Sequence, residues 1–336
     1  MRLVIHAGPH KTGTSYIQQR LTDNRDFLRQ SGWIYPSIGT MGTEGQHVIA
    51  QKAGTRLDLD WPPNLEILEL GEICRAEGAN LILSAEGFRV WDAERLLHLA
   101  DALGFEKVEL LYVVRDPYSV YRSYWAEEVK QGYGNSLPAR MMSSFIAPER
   151  SFLLNPMIDI RRMTASDRIS MTLMYYDALK AARFDICDVI TGEILRLGVL
   201  PELKRERVNE SFSIELTEFL RLLTVRHYKT KRHSGPALRN AFVRQIPRDE
   251  VERIQAIVNA HGQECFRSLT LPRATPFYEN LKRELAEVPV HRHLPEAGYE
   301  GLPSEPAVWT FMDIGEMMNI PQIAQIVLET EQRLKL

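Results

Sequence analysis

Short, β-rich apolar runs alternate with stretches of helical periodicity through roughly the first 200 residues, and this alternation limits the fold more than any other feature. The strand-like runs are Arg2 to Ala7, Asn80 to Ser84, Lys107 to Val114 and Ile169 to Tyr176, with a shorter one at Trp33 to Tyr35. Between and after them lie helical patterns at Ser15 to Arg29, Trp91 to Leu103 and Phe184 to Leu197. Pro62 and Pro63 suit the first turn of another helix, which runs to about Glu77. Asp92 is placed to cap the Trp91 helix, and Asp116-Pro117 to start one more. Strand and helix in turn predict a parallel sheet with helices on both faces.

The pattern changes after Val208. Ser211 to Leu223 and Arg248 to Leu269 read as helices with no strand between them. Pro and Gly then gather from Pro289 to Pro306, ahead of a last helix at Pro321 to Leu334. The expected fold is three-layer α/β with a central parallel sheet and a mainly helical C-terminal part. Residues 1–285 form one domain, with an α/β core over about 1–210 and a helical cover over about 211–285. Residues 286–336 form a linker and a C-terminal helix.

Composition narrows the function. The chain has 336 residues, 44% hydrophobic and 25% charged, as in an ordinary globular protein. A net charge of −3 provides no global positive field for nucleic acid, so any anion site must be local. Three scattered cysteines, Cys74, Cys187 and Cys265, form no CxxC pair and fit a reducing compartment. The N-terminal apolar stretch is too short for a signal peptide, and no run of about 18 apolar residues occurs. A cytoplasmic protein without a membrane span is expected. No cluster has metal-ligand spacing, and His291-x-His293 reads as a surface pair.

Chemistry concentrates in His6-Ala-Gly-Pro-His-Lys-Thr-Gly-Thr-Ser15, between the first strand and the first helix. Backbone N–H groups of such a loop, with a helix N-terminus behind them, make a nest for an anion. Gly8 and Gly13 allow the required backbone angles, Thr12, Thr14 and Ser15 add hydroxyls, and Lys11 adds a full charge. Gly8 and Gly13 have Walker A spacing, but Thr14 stands where that motif has its lysine, which here precedes Gly13 by two residues. A second basic element closes the strongest strand: Arg115-Asp-Pro-Tyr-Ser-Val-Tyr-Arg-Ser123. Arg115 sits at a strand's carboxyl end, where open α/β sheets bind ligands and a guanidinium grips phosphate in bidentate fashion. A rival reading takes Asp116 as a Walker B aspartate of a P-loop kinase.

Pro9-His10-Lys11-Thr12-Gly13-Thr14-Ser15 resembles the 5′-phosphosulfate loop of the sulfotransferases that use 3′-phosphoadenosine 5′-phosphosulfate (PAPS), and Arg115 with Ser123 matches their 3′-phosphate motif. The resemblance covers about the first 210 residues and implies a P-loop-like fold. It implies that Lys11 meets the bridging oxygen of the leaving group and that Thr12, Gly13, Thr14 and Ser15 hold the 5′-phosphate and sulfate oxygens. It also implies that Arg115 and Ser123 hold the 3′-phosphate. A fainter match, Asn209-Glu-Ser211, would line the nucleotide end.

The family commonly uses a Glu or His as base. Glu86, just past the strand Asn80 to Ser84, is the first candidate, and His10, beside Lys11, the second. His6 reads as a core histidine. The acceptor implied is a hydroxyl, or less readily an amine, of a small molecule or glycan, with a carbohydrate or glycolipid favoured by analogy. The polar stretch from Ser37 to Asp60 is a candidate acceptor loop, and Tyr124, Trp125 and Tyr133 are candidate stacking residues that more often belong to a core or lid. The basic run Arg226 to His233 reads as a solvated face. A P-loop kinase and a non-catalytic nucleotide-binding protein remain as alternatives, and oligomeric state is unreadable.

Overall fold

The computed structural model describes residues 1–9, 11–40, 44–52, 62–201, 212–227, 236–288, 292–295 and 302–336. His10, Asn209, Ser211, His291 and parts of the Ser37 to Asp60 and Arg226 to His233 segments lie outside the described residues. Among the described residues there are eight strands: β1 (Leu3–Ala7), β2 (Trp33–Ile34), β3 (Asn80–Ser84), β4 (Val108–Val114), β5 (Ile169–Tyr175), β6 (Phe266–Leu271), β7 (Arg292–Leu294) and β8 (Ala307–Met312). The chain divides into two compact units. One comprises 1–120, 149–208 and 276–303, and the other 121–148, 209–275 and 304–336.

The first unit is α/β. Its six-stranded sheet has the order β2-β3-β1-β4-β5-β7, and every pairing is parallel. Strands buried on both faces must be apolar at nearly every position, and Leu3, Val4, Ile5 and Ala7 of β1 are all buried. Val4, Ile82, Leu111 and Val113 project on one face and pack with Ile17 and Leu21 of the first helix and with Ile186 and Ile190. On the other face the Tyr112 hydroxyl donates to Asp159 of the helix Met157–Met163 at 3.0 Å. Helices therefore cover both sides of the sheet.

Element positions follow local chemistry closely. Helices span Pro62–Glu77, Ala93–Leu103 and Pro117–Lys130. Asp92 caps the second of these by accepting from the Arg95 N–H at 2.9 Å. The expected single helix from Ser15 to Arg29 is instead two, Thr14–Asp23 and Arg25–Gln30. The Asn24 side-chain amide donates to the Arg20 carbonyl at 2.7 Å, a local bond that competes with helix continuation. Between Phe184 and Leu197 the helix proper is Ile186–Val189, continued as a wider turn through Leu195.

The C-terminal third departs from the sequence reading. The helix beginning at Arg248 stops at His261, and its expected tail is strand β6. The Pro/Gly segment read as linker supplies β7, which pairs with β5 through Thr172–Arg292 to Met174–Leu294. His293, expected at the surface, is half-buried on β7, its ring stacked on Tyr175 with centroids 5.8 Å apart and its Nδ1 2.9 Å from the Tyr175 hydroxyl. In the second unit β6 pairs antiparallel with β8, from Phe266–Met312 to Leu271–Ala307. The buried Glu218 and Arg221 of the helix Ile214–His227 fasten β8: Glu218 Oε1 accepts from the Met312 N–H and Arg221 donates to the Met312 carbonyl, each at 2.9 Å. Trp125 is buried in this unit and donates to the Asn135 carbonyl, so it is a core residue, whereas Tyr133 is exposed. Among the described residues no helix is long and apolar enough to cross a membrane.

Candidate functional site

Strand order locates the crevice. From β1 the chain turns towards β2 and β3 on one side; from β4 it turns towards β5 on the other. Loops that diverge from neighbouring strand ends leave a gap between them, the usual ligand position in open α/β sheets. β1 and β4 are neighbours, with Ala7 opposite Tyr112. The two basic motifs, about a hundred residues apart in the chain, therefore converge at this gap.

The loop after β1 is built on its glycines. A Cβ on Gly8 would lie 3.2 Å from the Val113 carbonyl oxygen, tighter than an ordinary contact, so glycine eases the close approach of the loop to β4. Gly13 has φ 84° and caps the helix Thr14–Asp23 without any side-chain hydrogen bond. Lys11 also adopts positive φ, 69°, a conformation that costs a lysine about 1–3 kcal/mol. Thr12 is fully buried and its hydroxyl donates to the Pro9 carbonyl at 2.8 Å, so it braces the loop from inside. Thr14 is buried beside it, with hydroxyl oxygens 3.5 Å apart, while Ser15 is exposed. The helix has no acidic residue in its first turn, so nothing within the helix itself offsets its positive end.

Arg115 reaches this loop. Its Nη1 donates to the Lys11 carbonyl at 2.6 Å, its guanidinium lies 5.2 Å from the Tyr176 ring centroid, and its Nε is 3.7 Å from Asp177 Oδ1. Lys11 and Arg115 thus bring two positive charges to one loop. Tyr176 and Asp177 were missed in the sequence. Their signal was position alone, immediately after β5, the strand beside β4. Asp116 is a structural cap: its Oδ2 accepts from the Ser119 N–H and hydroxyl, and its Oδ1 from the Tyr278 hydroxyl at 2.8 Å. At 1% exposure, with both oxygens bonded, it is not arranged as a Walker B ligand. Ser123 is half-buried on the same helix as Ser119, eight residues beyond Arg115, and belongs to the second unit.

The third strand end belongs to β3, on the other side of β1. Ser84 pairs with His6 in register. Glu86 follows at the start of the short 3₁₀ turn Glu86–Val90, two residues past the end of β3, the strand beside β1. His47 Nδ1 lies 3.8 Å from Glu86 Oε2. His6 is wholly buried, with Nδ1 2.7 Å from the Ser84 hydroxyl. Burial pushes its imidazole down to about 4, so it is neutral at pH 7. This fits its reading as a core histidine. Among the described residues no group of three or more His, Cys, Asp or Glu could hold a metal ion.

In comparisons with protein-family models, curated proteins and solved structures, nothing matches this chain. The available chemistry lies at three neighbouring strand ends. The loop after β1 offers N–H groups, a helix terminus and Lys11; the end of β4 offers Arg115; the end of β3 offers a carboxylate. The first two suit an anion, and the third can take a proton from a group lying near it.

Proposed function

We propose that this chain is a P-loop-like sulfotransferase that moves the sulfuryl group of PAPS to an acceptor hydroxyl, with a carbohydrate or glycolipid as the favoured acceptor class. The observation that carries the reading is the 2.6 Å bond from Arg115 to the Lys11 carbonyl. It unites the two segments that resemble the family's 5′- and 3′-phosphate motifs at the gap between β1 and β4. The kinase alternative loses support because Asp116 is buried with both carboxylate oxygens bonded to protein.

In this reading the acceptor oxygen attacks sulfur in line. The new O–S bond forms as the S–O bond to the 5′-phosphate breaks, and the electron pair stays on the phosphate. Lys11 stabilises that developing charge, and the helix terminus with its loop N–H groups holds the phosphate. Glu86 accepts the hydroxyl proton. Arg115 supports the 3′-phosphate end while bracing the loop.

Calorimetric titration with adenosine 3′,5′-bisphosphate, against ATP with and without magnesium, tests the donor site. Tight binding of the bisphosphate and none of ATP is expected. Magnesium-dependent ATP binding with no preference for a 3′-phosphate would replace this reading with a nucleotide kinase.

A further inference from the structure

We infer that His47 is the positioning partner of Glu86, so that the two side chains form one proton-handling pair on the acceptor side of the crevice. The inference rests on the proposed role of Glu86 as base. Its physical ground is how firmly the backbone brings the pair together. Gln46, wholly buried, is bolted to the end of β3: its N–H donates to the Ser84 carbonyl at 3.0 Å, and its Oε1 accepts from the Ser84 N–H at 2.8 Å. Its Nε2 donates to the Pro36 carbonyl at 2.9 Å. A second fastening lies one helical turn on, where the Trp91 indole donates to the Ala50 carbonyl at 3.0 Å. His47 is the next residue after Gln46, and Glu86 the second after Ser84. Both ends of the His47–Glu86 contact are therefore held by the same hydrogen-bonded junction.

The pair is also reachable. His47 and Glu86 side chains are 18% and 17% exposed, unlike the fully buried His6–Ser84 pair beside them. At 3.8 Å the imidazole is beyond hydrogen-bond distance of the carboxylate but in side-chain contact with it. As the acceptor's O–S bond forms and the S–O bond to phosphate breaks, its hydroxyl proton passes to Glu86. Nδ1 of His47 fixes the rotamer from which the carboxylate takes it. A misplacement on the order of 1 Å at such a step costs up to about 100-fold in rate.

The test compares His47→Ala, His47→Asn, Glu86→Gln and the double variant His47→Ala/Glu86→Gln. Adenosine 3′,5′-bisphosphate affinity is measured by calorimetry, and sulfuryl release from PAPS to water and to a panel of sugar hydroxyls by product formation. Absence of bisphosphate binding by the parent chain defeats the sulfotransferase reading itself. With binding intact, His47→Ala should lower kcat roughly 10- to 100-fold at unchanged donor affinity. His47→Asn, which keeps a polar group near the place of Nδ1, should recover part of the loss. The double variant should be no slower than Glu86→Gln alone, because His47 acts only through Glu86. Losses that multiply in the double variant, a weakened bisphosphate affinity in His47→Ala, or binding without any turnover by the parent chain would each overturn the pair.

Discussion

Two clusters of charge in the first unit use similar residues to opposite ends. Around Asp159, Arg89 donates its Nε to Oδ2 at 2.7 Å, Tyr112 donates its hydroxyl to the same oxygen at 3.0 Å, and Arg162 donates to Oδ1 at 2.9 Å. Arg89 also reaches the Phe152 carbonyl and Arg162 the Arg89 carbonyl. Asp159 and Tyr112 have no exposed surface, and the phenol is pushed well above its usual range by burial first and by the Asp159 charge second. Every charge there is answered by protein. The loop after β1 is built differently: its helix start carries no side-chain cap, Ser15 is exposed, and Lys11 holds a costly backbone conformation. Removing one partner from the buried network would strand a charge, whereas the loop carries its cost in backbone conformation and keeps a hydroxyl at the surface. The two meet in a single five-residue turn, which begins at the proposed base Glu86 and is anchored from behind by Arg89.

The sharpest way to break this contrast is Arg89→Ala. Leaving Asp159 buried without its main partner should cost about 3–5 kcal/mol of unfolding free energy in urea, with bisphosphate affinity unchanged in the folded fraction. A large loss of affinity at unchanged stability would merge the two clusters into one functional site.

Lys11→Ala should reduce sulfuryl transfer by about 10²- to 10³-fold, roughly 3–4 kcal/mol of transition-state stabilisation, with little effect on stability. Lys11→Gly should lose the same activity yet raise stability by about 1 kcal/mol, since glycine adopts φ 69° without strain. Near-parental turnover in either variant would take Lys11 out of the mechanism.

His6 gives a pH signature of the closed interior. Its pKa is about 4 in the folded chain against 6.5 for the free imidazole, so the unfolded chain binds the extra proton between these values. Stability should therefore be fully present above pH 6.5 and fall by about 3 kcal/mol as the pH drops to 4, at about 1.4 kcal/mol per unit. His6→Gln should flatten that part of the profile, and an equally steep fall in the variant would mean that other groups cause it.

The smallest effect expected is on donor binding. Arg115→Ala should weaken bisphosphate binding by roughly 10- to 100-fold, about 1.5–3 kcal/mol for a charge-assisted hydrogen bond. An unchanged dissociation constant would leave Arg115 as a brace for the Lys11 carbonyl and nothing more.

Much of this arrangement was readable from residues alone. β3 and the helices Pro62–Glu77 and Pro321–Leu334 lie where apolar periodicity and proline placement put them. The loop at Gly8 to Ser15, Arg115 at the end of β4 and Glu86 past β3 were visible for the same reason: a strand, a turn and a helix start are written within about ten residues. The misses share a different cause. β7 has three residues and lies between prolines, and β6 follows an amphipathic helix with only Leu271 of its six residues buried, so neither has a period that stands out from its surroundings. Tyr176, Asp177 and His47 carry no motif and take their place only through strand order or the Gln46 junction.

Local chemistry, acting over a few residues, settled where β1, β3, β4 and the proline-started helices begin, which glycines turn the loop, and which side chains are cationic. The packing of the sheet settled the rest. Only the order β3-β1-β4-β5 brings Glu86, Lys11, Arg115 and Asp177 to neighbouring strand ends, and only burial separates His6, enclosed with Ser84, from His47, partly exposed beside Glu86. Strand order and burial depend on which distant surfaces exclude water together, and no stretch of ten residues contains that information.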